Sequence, residues 1–251
     1  MEKSREDSLL EARLSDALRM AEQKNRRAFL GFFDEREAAL ARAFLRRSRC
    51  ENFLLWGGHE EAERVMLGVF PDYQEPEASS FPLAALTVSY RKEDVLTHRD
   101  FLGALLACGV ERASLGDILV GEGRAVLFAR EEIAPFLAEQ VEKIGRVGVR
   151  LALGAQEPYP AAHRYEDFSA VVASPRLDCV VAAAAGLSRE KAAALVSSGL
   201  VVLNYKEETS SSAQVEEGAK LSIRGKGKFV VDRLGPLTKK GRLCISGRKY
   251  V

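Results

Sequence analysis

Arg176, Arg189 and Lys191 are cations at the starts of two short helical patterns, and their chemistry is that of phosphate recognition. Leu177, Val180, Val181 and Ala184 recur at i, i+3, i+4 and i+7, which predicts a helix opened by Arg176 and closed by Gly186. Ser188 is a good N-cap for a second helix, with Ala192, Leu195 and Val196 as its buried stripe and Gly199 as its left-handed stop. Leu200 to Leu203 then predicts a short strand, with Asn204 at the turn. Cations in a first helical turn oppose the macrodipole, so Arg189 and Lys191 are poorly explained as helix stabilisers. A phosphate on free N–H groups, flanked by these side chains, explains them better. Lys206, Arg224, Lys226 and Lys228 extend the set as candidate phosphate-contacting residues, on a module of short strands (220–224, 229–231, 243–245) and basic turns.

Other motifs carry less. His98-Arg99-Asp100 echoes a kinase catalytic loop, but Leu105 stands where that loop needs asparagine. Gly121-Glu122-Gly123 lacks the third glycine of a dinucleotide fingerprint and suits a hairpin. Gly225-Lys226-Gly227-Lys228 lacks P-loop spacing. No Ser-His-Asp group, paired carboxylate or methyl-donor loop can be assembled from neighbouring residues, and no catalytic residue, metal or cofactor is assigned. Cys50, Cys108, Cys179 and Cys244 are scattered without metal-ligand spacing, as reduced apolar residues are.

These residues sit on an uneven charge distribution. From Ser174 onward there are 14 Lys and Arg against 7 Asp and Glu, a net +7, while the rest of the 251-residue chain carries −6. A basic module on a slightly acidic body is the pattern of a nucleic-acid-binding unit attached to a scaffold. The N-terminus has charges of both signs and no apolar signal region, and no stretch could span a membrane, so a cytoplasmic monomer that does not touch membranes is expected.

The elements that must position the module begin with a helix striped by Leu10, Leu14, Ala17, Leu18 and Ala21. Asp34-Glu35-Arg36-Glu37 opens a second helix as a capping box, with Ala41, Phe44 and Leu45 on its apolar side. A strand over 52–56 and a helix over 60–67 follow. From Phe81 the order is strand 83–90, helix 97–108, strand 116–121, strand 124–129, helix 131–142, strand 144–153, with Thr97 as N-cap and Asp100 at N3. That β-α-β-β-α-β order is ferredoxin-like, or RRM-like. Ala125 to Ala129 offers a single aromatic, Phe128, so the sheet is expected to be structural or protein-facing rather than base-stacking. The proline-containing segment 157–163 reads as a linker or as a lasso over the neighbouring domain. The fold class is therefore α+β: an N-terminal α/β region (1–80), a middle domain (81–155), a linker (156–173) and a basic domain (174–251).

Arg176-Leu177-Asp178, Ser188-Arg189, Ala192, Gly199, Val201 and Val202-Leu203-Asn204, followed by Val215, Gly218 and Leu221 to Arg224, resemble the S4 RNA-binding domain of the αL type. Tyr205 stands where that family usually has glycine and Ala219 where it usually has aspartate, so the hairpin turns are expected to differ. Arg-Leu-Asp is also a catalytic segment of pseudouridine synthases, but there a Thr/Ser-Gly-Leu-rich loop follows it. Here Cys179-Val180-Val181-Ala182 follows, and Asp178 is read as structural. Trp56-Gly57-Gly58 with Glu61 to Arg64, Phe70 to Tyr73, Leu96 to Leu105, Gly116 to Val120 and Thr238 to Arg242 resemble the YlmH family over nearly the whole chain. The resemblance implies a non-enzymatic factor on the rRNA of the large ribosomal subunit, with tRNA as a further partner, acting in rescue of stalled nascent chains. The alternatives are an S4-guided RNA-modifying enzyme and a division-linked interaction protein.

Overall fold

The computed structural model describes residues 5–161 and 165–251, which fall into two compact units divided between Ala162 and His163. The end of the segment read as a linker, Ala162 and His163, lies outside the described residues. Helices and antiparallel sheets make up both units, so the chain is α+β.

The N-terminal unit begins with α1 (Arg5–Lys24), β1 (Ala28–Phe33), α2 (Glu35–Arg47), β2 (Phe53–Trp56) and β3 (Val65–Val69). Leu10, Leu14, Ala17, Leu18 and Ala21 are the buried stripe of α1, as their spacing requires. The capping box of α2 is reciprocal: Glu37 N–H donates to Asp34 Oδ1 at 2.8 Å and Asp34 N–H to Glu37 Oε2 at 2.9 Å. The three strands form an antiparallel sheet in the order β1-β3-β2.

Residues 60–67, expected to be helical, instead turn and enter β3. The reason is non-local. Asp117, buried and some fifty residues later, accepts the N–H of Glu63 at 2.8 Å and of Arg64 at 3.0 Å, and His59 Nε2 lies 3.1 Å from it. A carboxylate that captures two successive backbone donors overrides local helix propensity. Gly58 tightens the same turn at φ 102°, where a Cβ would collide with the Phe128 ring. Asp117→Ala is expected to leave those donors unsatisfied and to cost about 3 kcal/mol, read as a lower urea midpoint at unchanged m.

The unit continues with β4 (Leu83–Ser89), α3 (His98–Ala107), β5 (Leu115–Val120), β6 (Arg124–Arg130), α4 (Ala134–Gln140), the short hairpin β7 (Lys143–Ile144) and β8 (Val147–Gly148), and β9 (Arg150–Leu153). The single strand expected over 144–153 is thus a hairpin followed by a strand. An antiparallel sheet runs β5-β6-β4-β9. Phe101 and Leu105 of α3 and Leu137 of α4 pack on one face, against Leu86, Ile118 and Leu127. The other face is also covered: Phe32, Met66 and Phe70 meet Leu119, Val126 and Phe128 in a second core between the two sheets. The layers therefore run helices, sheet, sheet, helices, and β6 is buried on both sides over Ala125–Ala129. The face that could have stacked bases is closed within the unit itself.

The C-terminal unit holds β10 (Tyr165–Val172), α5 (Leu177–Ala185), α6 (Arg189–Ser197), β11 (Val201–Leu203), β12 (Lys206–Glu207), β13 (Lys220–Ile223), β14 (Gly227–Leu237) and β15 (Leu243–Tyr250). They form one antiparallel sheet in the order β10-β15-β14-β13-β11-β12. Residues 165–172, read as linker, are instead an edge strand paired along its whole length with β15. The two helices cover one face, with Leu177, Val180, Val181, Ala192 and Val196 against Val201, Leu221, Ile223, Phe229, Val231 and Ile245. Asn204 (φ 47°) and Tyr205 (φ 67°) both adopt the left-handed conformation between β11 and β12. The turn thus keeps the geometry an Asn-Gly pair would give, with Tyr205 carrying the strain that glycine avoids.

Candidate nucleic-acid interface

Arg176 is the N-cap of α5 and Arg189 the first residue of α6. What brings them together is Asp178, only 3% exposed. Arg176 Nε donates to Asp178 Oδ1 at 3.1 Å, Arg189 Nε donates to Oδ2 at 2.9 Å, and Cys179 N–H donates to Oδ1 at 3.0 Å. Burial alone would push the Asp178 carboxyl up, but hydrogen bonds from the two arginines outweigh it and hold the group below the ordinary carboxylate range. A carboxyl depressed in the folded state stabilises it fully above the unfolded value, near 3.9, and loses that contribution as pH falls through the folded value. Carboxyl-carbon NMR is expected to find Asp178 titrating below the ordinary aspartate value, with the C-terminal unit loosening in the same acid window.

This clamp changes the account of the cations in two respects. Arg189 in a first helical turn is explained by Asp178, so its position does not by itself require a phosphate. The first N–H groups of α5 are also committed: Leu177 N–H donates to Ala213 O at 2.8 Å and Asp178 N–H to Ser211 O at 3.2 Å. They are not available to an anion. At the start of α6, Ser188 Oγ takes only the Lys191 N–H, at 3.3 Å. The clamp nevertheless fixes two guanidinium groups, 37% and 59% exposed, beside each other with one carboxylate between them, so one positive charge remains in excess at a rigid position. The exposed Lys191 lies two residues beyond Arg189 in the same helical turn.

The other candidates fall elsewhere on the unit. Arg224 and Lys226 are exposed on the β13–β14 turn, where Arg224 N–H donates to Leu200 O at 3.0 Å, past the C-terminal end of α6. A nine-residue helix spans about 13 Å, so this turn and Arg189 mark the two ends of α6. Lys206 is exposed on β12, opposite Leu203. Lys228 lies opposite Ser222 on the sheet face away from the helices, a face it shares with Lys220 and Arg248. Burial, then the charges of Lys228 and Arg248, lowers the Lys220 pKa. Lys220 and Arg248 were missed because the alternation that puts them beside Lys228 depends on the pairing of three strands. Arg248 is further held by Asp232, at 2.8 Å and 2.9 Å, and lies 5.0 Å from the Tyr165 ring centroid.

The elements that carry the family segments converge as well. The Glu61–Arg64 stretch meets Gly116-Asp117 through the Asp117 hydrogen bonds, and Arg64 donates to the carbonyls of Leu115 (2.9 Å) and Phe32 (2.8 Å). Among the described residues no group of three or more His, Cys, Asp or Glu side chains could hold a metal ion, and no helix is long and apolar enough to cross a membrane. All four cysteines are free thiols; Cys179 is buried and the others half-buried.

The chain is similar to several known proteins. Residues 76–157 match a family model described as "Putative RNA-binding domain in YlmH". The solved structure of the cell division protein ylmH from Streptococcus pneumoniae superposes with a TM-score of 0.52 at 25% identity, covering 62% of this chain and 94% of that one. The ribosome-associated protein quality control protein P2 of Bacillus subtilis is 34% identical over 230 residues, 91% of this chain and 89% of its own. With that identity across nearly the full length of both proteins, the chain belongs to the YlmH family.

Proposed function

We propose that this protein is a non-enzymatic RNA-binding factor that docks on structured rRNA of the large ribosomal subunit and acts in rescue of stalled nascent-chain complexes, with tRNA as a neighbouring contact. The observation that carries the reading is the pair of guanidinium groups held by Asp178, Arg176 half-buried and Arg189 exposed, near Lys191, in a basic unit of a family with a ribosome-associated member. Phosphate contacts of this kind position a protein and carry little sequence information, so selectivity comes from RNA shape.

The domain reading rests on topology. The order β9-β4-β6-β5 with α3 and α4 on one face supports a ferredoxin-like middle domain, and the α5–α6 pair on β11, β13 and β14 supports an S4 domain. Burial of Asp178 between two arginines favours a structural role for it over a catalytic one. The streptococcal relative, a cell division protein by name, favours one second reading, a division-linked interaction protein. In-cell RNA crosslinking with site mapping separates the two. Contacts concentrated at a junction of large-subunit rRNA are expected; crosslinks no denser than background, with partner proteins captured independently of residues 174–251, would favour the division reading.

A further inference from the structure

The sheet of the C-terminal unit has a face that α5 and α6 leave open, and strand pairing decides which side chains stand on it. Phe168, Phe229 and Ile245 pack toward the helices, so the residues that alternate with them face away. One row across β10, β15, β14 and β13 is Asp167, Arg248, Val230 and Lys220. Two residues along, Tyr165 faces Tyr250 and Lys228 faces Ser222; on the other side, Ser169, Ser246 and Arg233 align. The tyrosine rings meet edge to face with centroids 5.0 Å apart, and Arg248 lies over Tyr165, which is still 41% exposed. Aromatic rings held on an open sheet beside cations are a surface on which nucleobases stack. The sheet of the middle domain offers no such face, because β6 is covered on both sides.

Charge has the lesser part here. Lys220, Lys228, Arg233 and Arg248 stand against Asp167 and Asp232, with Glu217 at the margin accepting the Leu234 N–H at 2.8 Å, so four cations meet three carboxylates and one positive charge is in excess. Asp167, Ser169, Asp232 and Ser246 border a hollow of about 310 Å³ next to the tyrosines. Carboxylates there would repel a phosphate but accept from the exocyclic amine of a base, a donor that cytosine has and uracil lacks. We infer that this face is a platform for single-stranded RNA, with bases stacked on Tyr165 and Tyr250 and an amino-bearing base in the hollow. It lies on the side of the sheet away from the α5–α6 cations, and it rests on the RNA-binding reading only for the class of partner.

The test titrates the full chain with an oligocytidylate of about eight nucleotides and follows the tyrosine ring signals by NMR. The signals of Tyr165 and Tyr250 are expected to move upfield saturably as bases stack on them. Tyr165→Ala is expected to weaken binding about ten-fold, while Tyr165→Phe, which keeps the ring, binds as the wild type does. Oligouridylate is expected to bind about five-fold more weakly than oligocytidylate. With little excess charge on the face, the log–log salt slope should be only about one unit. Ring signals that stay in place, or a folded Tyr165→Ala protein that binds like the wild type, would overturn the platform; should Tyr165→Ala not fold, the wild-type ring shifts decide. Oligouridylate that binds as tightly as oligocytidylate would overturn the part given to the hollow. Ribosome docking is read separately, by sedimentation: a chain that docks without moving these rings refutes the platform alone, and one that moves them without docking refutes the ribosomal reading alone.

Discussion

Reversing Arg176 and Arg189 to glutamate is expected to unfold the C-terminal unit rather than simply to strip it of RNA. Both guanidinium groups are bound to Asp178, which is 3% exposed. With glutamates in their place, a buried carboxylate loses its cations and gains two like charges, and an uncompensated buried charge costs about 3–5 kcal/mol. That is a large part of the stability of a small domain. Urea unfolding of the full chain should show an early transition that the wild type lacks. Adding Asp178→Asn removes the buried charge and should restore most of the loss, because an amide still accepts the Cys179 N–H. A double reversal that unfolds with the wild-type midpoint would show that the clamp contributes nothing to stability. Loss of RNA binding in the double reversal alone therefore proves little about contact.

Lys191, Lys226 and Lys228 give a cleaner separation of binding from folding. All three are exposed, and none forms an ion pair among the described residues. Their reversal to glutamate should change stability by about 0.5 kcal/mol or less apiece. RNA affinity at low salt is expected to fall by about 100-fold or more, and the log–log salt slope to shrink by several tenths to about one unit per lysine that contacts a phosphate. Fluorescence anisotropy with a fragment of large-subunit rRNA reads both quantities. Single reversals also locate the surface: a dominant Lys191 points to the helix starts, a dominant Lys228 to the open sheet face beside Lys220 and Arg248.

How much of this was readable in the sequence follows from how local each determinant is. The caps of α5 and α6, the left-handed Gly186 and Gly199, and the capping boxes at Asp34 and Thr97 are set within four residues, and all stand where the residue pattern put them. The family, too, followed from short segments such as Leu96 to Leu105. The helix wrongly expected over 60–67 shows the limit, since Asp117 captures its backbone from another strand. The same limit hid β10, which pairs with β15 at the other end of the unit, and the helix-start N–H groups consumed by Ser211 and Ala213. It also hid the covering of β6 by Phe32 and Met66, which closes the face a base would need. In the C-terminal unit the seven candidate cations were grouped by sequence proximity, and the fold distributes them between the helix starts, one turn, an edge strand and the opposite sheet face.

Sedimentation with purified ribosomal subunits tests the central claim most directly. The full chain, with the Lys191, Lys226 and Lys228 triple reversal as its folded control, is centrifuged with large or small subunits across a salt series. The wild type is expected to travel with large subunits at low salt and to be released steeply as salt rises, while the triple reversal remains in the supernatant. A triple reversal that sediments with large subunits as the wild type does, or a wild type that travels with neither subunit, would contradict docking through the cations of the C-terminal unit.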